Sequence, residues 1–369
     1  MLWSVAEVCA FLRSPLPAAF ALPLPYGLLR SIPRSAFLPG LCRRRFTTHR
    51  VIQSGAGDMA PIQRHFQTQE FGGLHHEDYR LFLTNGHKPV SPFHDVPLFV
   101  DEKGFPAEEK ARRGIYNMVV EIPRWTNAKM EISTKEPLNP IKQDIKKGKA
   151  RFVCNVFPHK GYIWNYGAFP QTWEDPEHIS PETGCKGDAD PVDVCEIGHR
   201  VAERGEVLQV KVLGVIALID EGETDWKIIA INIHDPLADK LNDIGDVEQH
   251  MPGFLQSTID WFRCYKMPDG KPANQFGLDE QARGKDLAEK VIAETHEFWR
   301  ALVYNNNSKN DRGLSCVNTS LKDSPFTISY AESTKILDRL PKYRKTEPLD
   351  PSVDIWHFVD RPATNSISH

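Results

Sequence analysis

Two apolar runs dominate the chain, Leu208 to Ile219 and Trp226 to Ile233. They are rich in β-branched residues, and the acidic, Gly-containing link Asp220-Glu221-Gly222-Glu223-Thr224-Asp225 between them predicts a hairpin. Upstream, Tyr79-Arg80-Leu81-Phe82-Leu83 alternates in strand fashion, and Tyr116 to Ile122 is a short β-branched run ended by Pro123. Lys129 to Ile132 and Arg151 to Val156 read as further strands. Residues 59–78 are polar and read as loose, Asp101 to Gly114 as a loop, and Asn165 to Pro191 as turn-rich. Helical spacing comes late. Leu287, Val291, Glu294, Phe298 and Leu302 mark one side of a 3.6-residue pattern, and residues 254–266 form a second candidate. The tail after about residue 322 reads as a surface wrap. Many short strands followed by helices, with no crossover helices between strands, argue against a doubly wound parallel sheet. They predict a mainly β chain, a closed antiparallel barrel with peripheral α-helices and long loops.

Composition narrows this little. The 369 residues allow one large domain or two ordinary ones at roughly 100–200 residues each. Hydrophobic residues at 40% and charged residues at 25% are ordinary globular usage. A net charge of −4 argues against a nucleic-acid partner. Seven scattered cysteines without a C-x-x-C pair do not form a disulfide framework or a zinc ribbon. No run of 18 apolar residues exists, so no membrane insertion is expected. The charge is uneven, however. Residues 1–58 hold seven arginines, no lysine and only Glu7 and Asp58 as acids, a net +5, which leaves −9 for the rest. An arginine-rich, acid-poor start predicts a mitochondrial transit peptide, with initiation at Met59 as the alternative.

The chemistry concentrates in Gly187-Asp188-Ala189-Asp190-Pro191-Val192-Asp193. Crowded carboxylates repel unless cations neutralise them, and Mg²⁺ or Ca²⁺ takes oxygen ligands of this kind. A solvated acidic loop is the plain alternative. An EF-hand is disfavoured because its sixth position, a glycine there, is Asp193 here. In the hairpin, Asp220 and Asp225 bracket the link, and Asp225 and Lys227 at i, i+2 share one strand face. Lys129 and Glu131 repeat that spacing downstream of Glu121. Arg151, Tyr162, Tyr166 and the pair Tyr265-Lys266 complete the candidates, although aromatics are more often core and each pair alone could be an ordinary surface feature. No phosphate-binding glycine loop, dinucleotide fingerprint or nucleophile elbow occurs. His296-Glu297 begins a zinc-protease-like string, but Arg300 stands where its second histidine belongs.

These segments together resemble the family I soluble inorganic pyrophosphatases of eukaryotic type. The D-x-D-P-x-D segment at Asp188 is that family's signature. EIPRWTNAKMEI, FPHKGYIWNYGAFPQTWEDP, DEGETDWK and WFRCYKMPDGKP resemble its blocks, in order, over residues 75–335. Ala189 departs from the small polar or acidic residue usual there. The resemblance divides the chain into an extension at 1–58, a flexible lead-in at 59–74, the pyrophosphatase domain at 75–335 and a surface tail at 336–369. It implies a five-stranded OB-like barrel, a homodimer, several Mg²⁺ ions per site, and hydrolysis of inorganic diphosphate by a metal-bridged water. It further implies that Asp188, Asp193 and Asp225 hold the first metal and that Asp193 bridges to a second. Asp220 with Asp225, and Glu131, serve the additional metals. Asp190 takes the proton from water and Tyr162 resembles a proton donor. Lys129, Arg151, Tyr166, Lys227, Tyr265 and Lys266 grip phosphate oxygens, and Glu121 is an outer-sphere carboxylate. The presegment resembles that of a mitochondrial form, which implies the matrix, or the cytoplasm if translation starts at Met59. Two rivals are another Mg²⁺-dependent phosphohydrolase acting on nucleotides or polyphosphate, and a catalytically silent binding module.

Overall fold

A computed structural model describes residues 66–100, 114–305, 313–346 and 349–361. Residues 1–58, where the transit peptide is expected, and all but Gly114 of the expected loop from Asp101 to Gly114 lie outside them.

Five strands close a barrel: β3 (Ile115–Ile122), β6 (Asn165–Ala168), β7 (Asp193–Glu196), β8 (Val207–Asp220) and β9 (Glu223–Asn232). Around the ring β9 pairs with β7, β7 with β6, β6 with β3, β3 with β8, and β8 again with β9. The length of β8 makes closure possible, because residues 207–211 pair with β3 while residues 210–220 pair with β9. Four seams are antiparallel, as expected, and the β7–β9 seam is parallel. The expected six-residue hairpin link shrinks to a two-residue turn. Glu221 and Gly222 both take positive φ, 52° and 91°, which matches the right-handed strand twist and lets Asp220 pair with Glu223.

A smaller sheet runs β1 (Phe66–Phe71), β2 (Arg80–Asn85), β5 (Ile141–Gln143), β4 (Met130–Ile132). Residues 66–71, expected to be a loose lead-in, thus form an edge strand, its polar residues on a largely exposed surface. The run from Arg151 to Val156 forms a strand at Asn155–Val156, against Trp356–His357 of the tail, and otherwise a single bridge from Phe152 to Ala128. Residues 165–168, read as turn-rich, form β6. There Gly167 is required, because a Cβ would sit 2.0 Å from the Val119 carbonyl oxygen across the seam.

Helix α1 (Ile244–His250) precedes α2 (Phe254–Cys264), and α3 (Lys285–Tyr304) packs on β8. The buried face of α3 is Ala288, Val291, Ile292, Thr295, Trp299, Leu302 and Val303, turned away from the expected Leu287, Glu294 and Phe298. Two polar members disguise that face. Thr295 is satisfied by the Val291 carbonyl at 2.8 Å, and the Trp299 indole donates to buried His94 at 2.9 Å. In the tail, α4 (Tyr330–Asp338) starts on a capping box between Ser329 and Glu332 and seats Leu337 against Phe82 and Leu138. Alternate barrel residues split between two apolar layers, Trp226, Ile228 and Ala230 in one, Ile229 and Ile231 in the other.

Candidate active site

The acidic loop 187–193 is fixed by main-chain contacts before any carboxylate is considered. The Glu174 amide donates to the Asp190 carbonyl at 2.9 Å, the Ala189 amide to the Glu174 carbonyl at 3.0 Å, and the Trp173 indole to the Ala189 carbonyl at 3.0 Å. Pro191 then ends the loop and Asp193 opens β7. The Asp190 amide donates to Asp188 Oδ1 at 2.9 Å, an Asx turn inside the signature. Held this way, Asp188 meets Asp225 of β9 and Glu174, with one oxygen of each within 4.8 Å of the others. Glu174 Oε1 accepts from the Trp226 amide at 2.9 Å, and Oε2 is buried without a hydrogen-bond partner among the described residues.

The parallel β7–β9 register places Lys227 opposite Asp193. Its ammonium contacts Asp193 Oδ2 and Asp225 Oδ1 and donates to the Tyr166 hydroxyl at 2.9 Å, while Tyr166 donates to Asp193 Oδ2 at 2.5 Å. Asp225 and Lys227 therefore share a face, as the i, i+2 spacing predicts. Glu121, Lys129, Glu131, Tyr162, Tyr166, Asp190 and Asp193 line one pocket. Within it Lys129 pairs with Glu131 at 3.0 Å, and the Ile132 amide donates to Glu121 Oε1 at 2.6 Å. At the hairpin, Lys266 forks onto Asp220 at 2.5 and 2.6 Å, and the Tyr265 hydroxyl lies 3.3 Å from the same carboxylate. The Trp261 ring, on α2, stacks on Tyr265 at 4.9 Å and leans on Tyr162 at 4.9 Å, joining the two clusters through aromatic packing. Arg151, anchored to Asp144 at 3.0 Å, lies within electrostatic reach of both tyrosines. Every candidate residue is thus in one neighbourhood, assembled from β3, β4, β6, β7, β8, β9, the end of α2 and the loops between them.

Electrostatics mark it as a place of concentrated negative charge. Burial, then the Asp193 charge, lifts the Glu121 carboxyl well above the carboxylate range. Burial and neighbouring acids do the same to Asp188 and Glu174. Asp225 is pushed up to about 7 by burial, against the opposing pull of Lys227. Asp190 opens to solvent at the mouth, yet the protein around it and the charge of Glu131 raise it to about 7. Burial alone would depress Lys227, but Asp193 and Asp225 overcome it and keep the ammonium charged. Oxygen-only donors, mutual repulsion and an unpartnered buried carboxylate oxygen fit a hard divalent cation.

Glu174 is the member of this cluster that no sequence pattern singled out. It stands in PQTWEDP, fourteen residues before Asp188, with no regular spacing to either of its companions. Its signal is local: an acid inside a Pro-flanked aromatic turn, where an ordinary surface glutamate has no reason to be.

The family model described as inorganic pyrophosphatase matches residues 118–300. An inorganic pyrophosphatase of Drosophila melanogaster is 56% identical over 295 residues, covering 80% of this chain and 84% of that protein. A mouse protein named inorganic pyrophosphatase 2, mitochondrial, is 51% identical over 304 residues, covering 80% of this chain and 91% of its own. The solved structure of inorganic pyrophosphatase from Schistosoma japonicum superposes with a TM-score of 0.72 at 48% identity, covering 79% of this chain and all of that one.

Proposed function

We propose a division of labour in this site from one premise: the chain belongs to the inorganic pyrophosphatase family. It is an inorganic diphosphatase, hydrolysing diphosphate to two phosphates. The observation that carries the residue assignment is the meeting of Glu174, Asp188 and Asp225, next to a pocket that sets Lys129, Tyr162 and Tyr166 among the further acids Glu121, Glu131, Asp190 and Asp193.

The cation we propose is Mg²⁺, several ions per site. Asp188, Asp193 and Asp225, with Glu174 alongside, would hold the first, and Asp193 would also serve a second. Asp220 with Asp225, and Glu131, would hold those that accompany substrate. Bound Mg²⁺ supplies neutralisation of diphosphate oxygens and lowers the pKa of water from about 15.7 toward roughly 7. The protein's own groups do the rest. Lys129, Arg151, Tyr166, Lys227, Tyr265 and Lys266 donate to phosphate oxygens, where charge grows as the anhydride breaks. Asp190 accepts the proton of the attacking water, and a value of about 7 suits a base working near neutrality. Tyr162, whose hydroxyl burial holds in the protonated form, donates toward the leaving phosphate. Glu121 orients Ile132, and with it the strand that carries Glu131, without touching substrate.

Two further proposals follow. The protein works as a homodimer, supported by an exposed aromatic face where Phe157 packs on Trp356 and Phe358 at 5.7 and 5.5 Å. It acts in the mitochondrial matrix, supported by the charge pattern of residues 1–58 and the mitochondrial relative, with the cytoplasm as the outcome of initiation at Met59. Among the described residues, no helix is long and apolar enough to cross a membrane.

Phosphate release from purified protein tests the reading. Diphosphate with Mg²⁺ should be hydrolysed, chelator should abolish turnover, and ATP should be a poor substrate. Equal rates on ATP would favour the general phosphohydrolase.

A further inference from the structure

A closed ring of three hydrogen bonds lies behind the acids. The Cys185 amide donates to Thr183 Oγ1 at 3.1 Å, the hydroxyls of Thr183 and Thr224 are 2.6 Å apart, and Thr224 Oγ1 donates to the Cys185 carbonyl at 3.0 Å. The Thr224 proton is used on the carbonyl, so Thr183 donates to Thr224, and each contact has one proton. Thr224 is 1% exposed. The ring joins the two chain segments that deliver the metal-binding carboxylates. Thr224 immediately precedes Asp225, and Cys185 stands three residues before Asp188. Between them Lys186 and Gly187 pair in parallel with Glu223 and Thr224. On the far side of Asp225, the Trp226 amide is held by Glu174. Asp225 is therefore flanked by a fixed contact on each side, one to the loop of Asp188 and one to Glu174.

We propose that Thr224, acting with Thr183, is a positioning residue that sets the separation of Asp188 from Asp225 and so the affinity of the site for its divalent cation. This rests on the reading of Asp188 and Asp225 as cation ligands. A sheet hydroxyl normally has water or a neighbouring carbonyl to satisfy it. Here its removal leaves the Cys185 carbonyl with the Ser180 amide at 2.9 Å as its other donor, takes away the link from β9 to that carbonyl, and leaves the Thr183 hydroxyl without its acceptor beside a fully buried position. The loop relieves that by shifting, and Asp188 shifts with it. Groups that orient metal ligands typically matter by about 10–100-fold in affinity.

The test compares Thr224→Val, which keeps shape and loses the hydroxyl, with Thr224→Ser, which keeps the hydroxyl. Mn²⁺ is titrated by calorimetry into each full-length protein without diphosphate, and thermal unfolding is followed in chelator. Thr224→Val should bind Mn²⁺ about 10–100-fold more weakly. Thr224→Ser should stay within about threefold of the parent, and kcat at saturating cation should change little in either. Thr183→Val should weaken binding similarly and stands in if Thr224→Val fails to fold, and the two losses should coincide rather than add. Parent-like Mn²⁺ affinity in the valine variants, whatever their unfolding temperature, overturns the proposal, as does a serine variant as weak as valine. A parent protein that binds no Mn²⁺ overturns instead the cation site itself.

Discussion

Strand β9 contains two adjacent stretches with the same burial and opposite chemistry. Ile228, Ile229, Ala230 and Ile231 are fully buried, and Asp225 and Lys227 are nearly so, at 6% and 2% exposure. The apolar stretch needs only other apolar side chains, which the barrel supplies on both of its faces. The charged stretch needs particular partners: Asp193 and Tyr166 from two other strands, and Asp188 and Glu174 from a loop. Taking ions out of water costs several kcal/mol each unless charge and hydrogen bonds replace it. The fold keeps them because they work together on something else.

The comparison breaks if either stretch does the other's job. Asp190→Ala should lower kcat about 10²–10⁴-fold while folding and cation binding largely survive, as removal of a general base does. Parent-like turnover would remove Asp190 from the chemistry. Ile229→Ala, in the apolar stretch, should cost about 2–5 kcal/mol in denaturant unfolding with kcat per folded molecule little changed.

Acidity sharpens the contrast. Glu121, Glu174 and Asp225 have carboxyls raised above their unfolded values, so the folded chain binds more protons than the unfolded one between pH about 4 and about 7. Stability in chelator should therefore be greatest at the acid end of that window and fall as pH rises through it. Mg²⁺ should flatten the slope and release protons on binding, which a pH-stat titration reads. A slope of opposite sign would mean these acids are not held protonated by burial. The smallest effect concerns Ala189, which takes φ 71°, a left-handed conformation costly for a residue with a Cβ. Ala189→Asn should raise the unfolding free energy by up to about 1 kcal/mol, because asparagine tolerates that region better. An unchanged midpoint would mean that the main-chain contacts of Ala189 already offset the strain.

Much of this was legible before the structure. The long strands β8 and β9 announce themselves because both faces are buried and their apolar runs are continuous. Helices α2 and α3 are visible in period, though the face of α3 is hidden by Thr295 and Trp299, polar residues whose hydrogen bonds cannot be seen in a string. Strand β6 escapes notice because Asn165 and Gly167 look like turn residues. One caps loops with its amide, and the other lets a carbonyl approach. The α4 start is written in Ser329-x-x-Glu332, a capping signal inside a segment that otherwise reads as tail. The acids in the signature and hairpin carry local spacing, so they could be named. Glu174 joins them only through the three-dimensional course of its loop, and the Thr183–Thr224 ring leaves no trace in sequence at all.

Anomalous diffraction from crystals soaked in Mn²⁺ tests most directly the claim that these separated acids form one cation site. The account predicts manganese peaks bounded by Asp188, Asp193 and Asp225, lost in chelator. Peaks elsewhere, or none at saturating Mn²⁺ with these carboxylates turned to solvent, would contradict it.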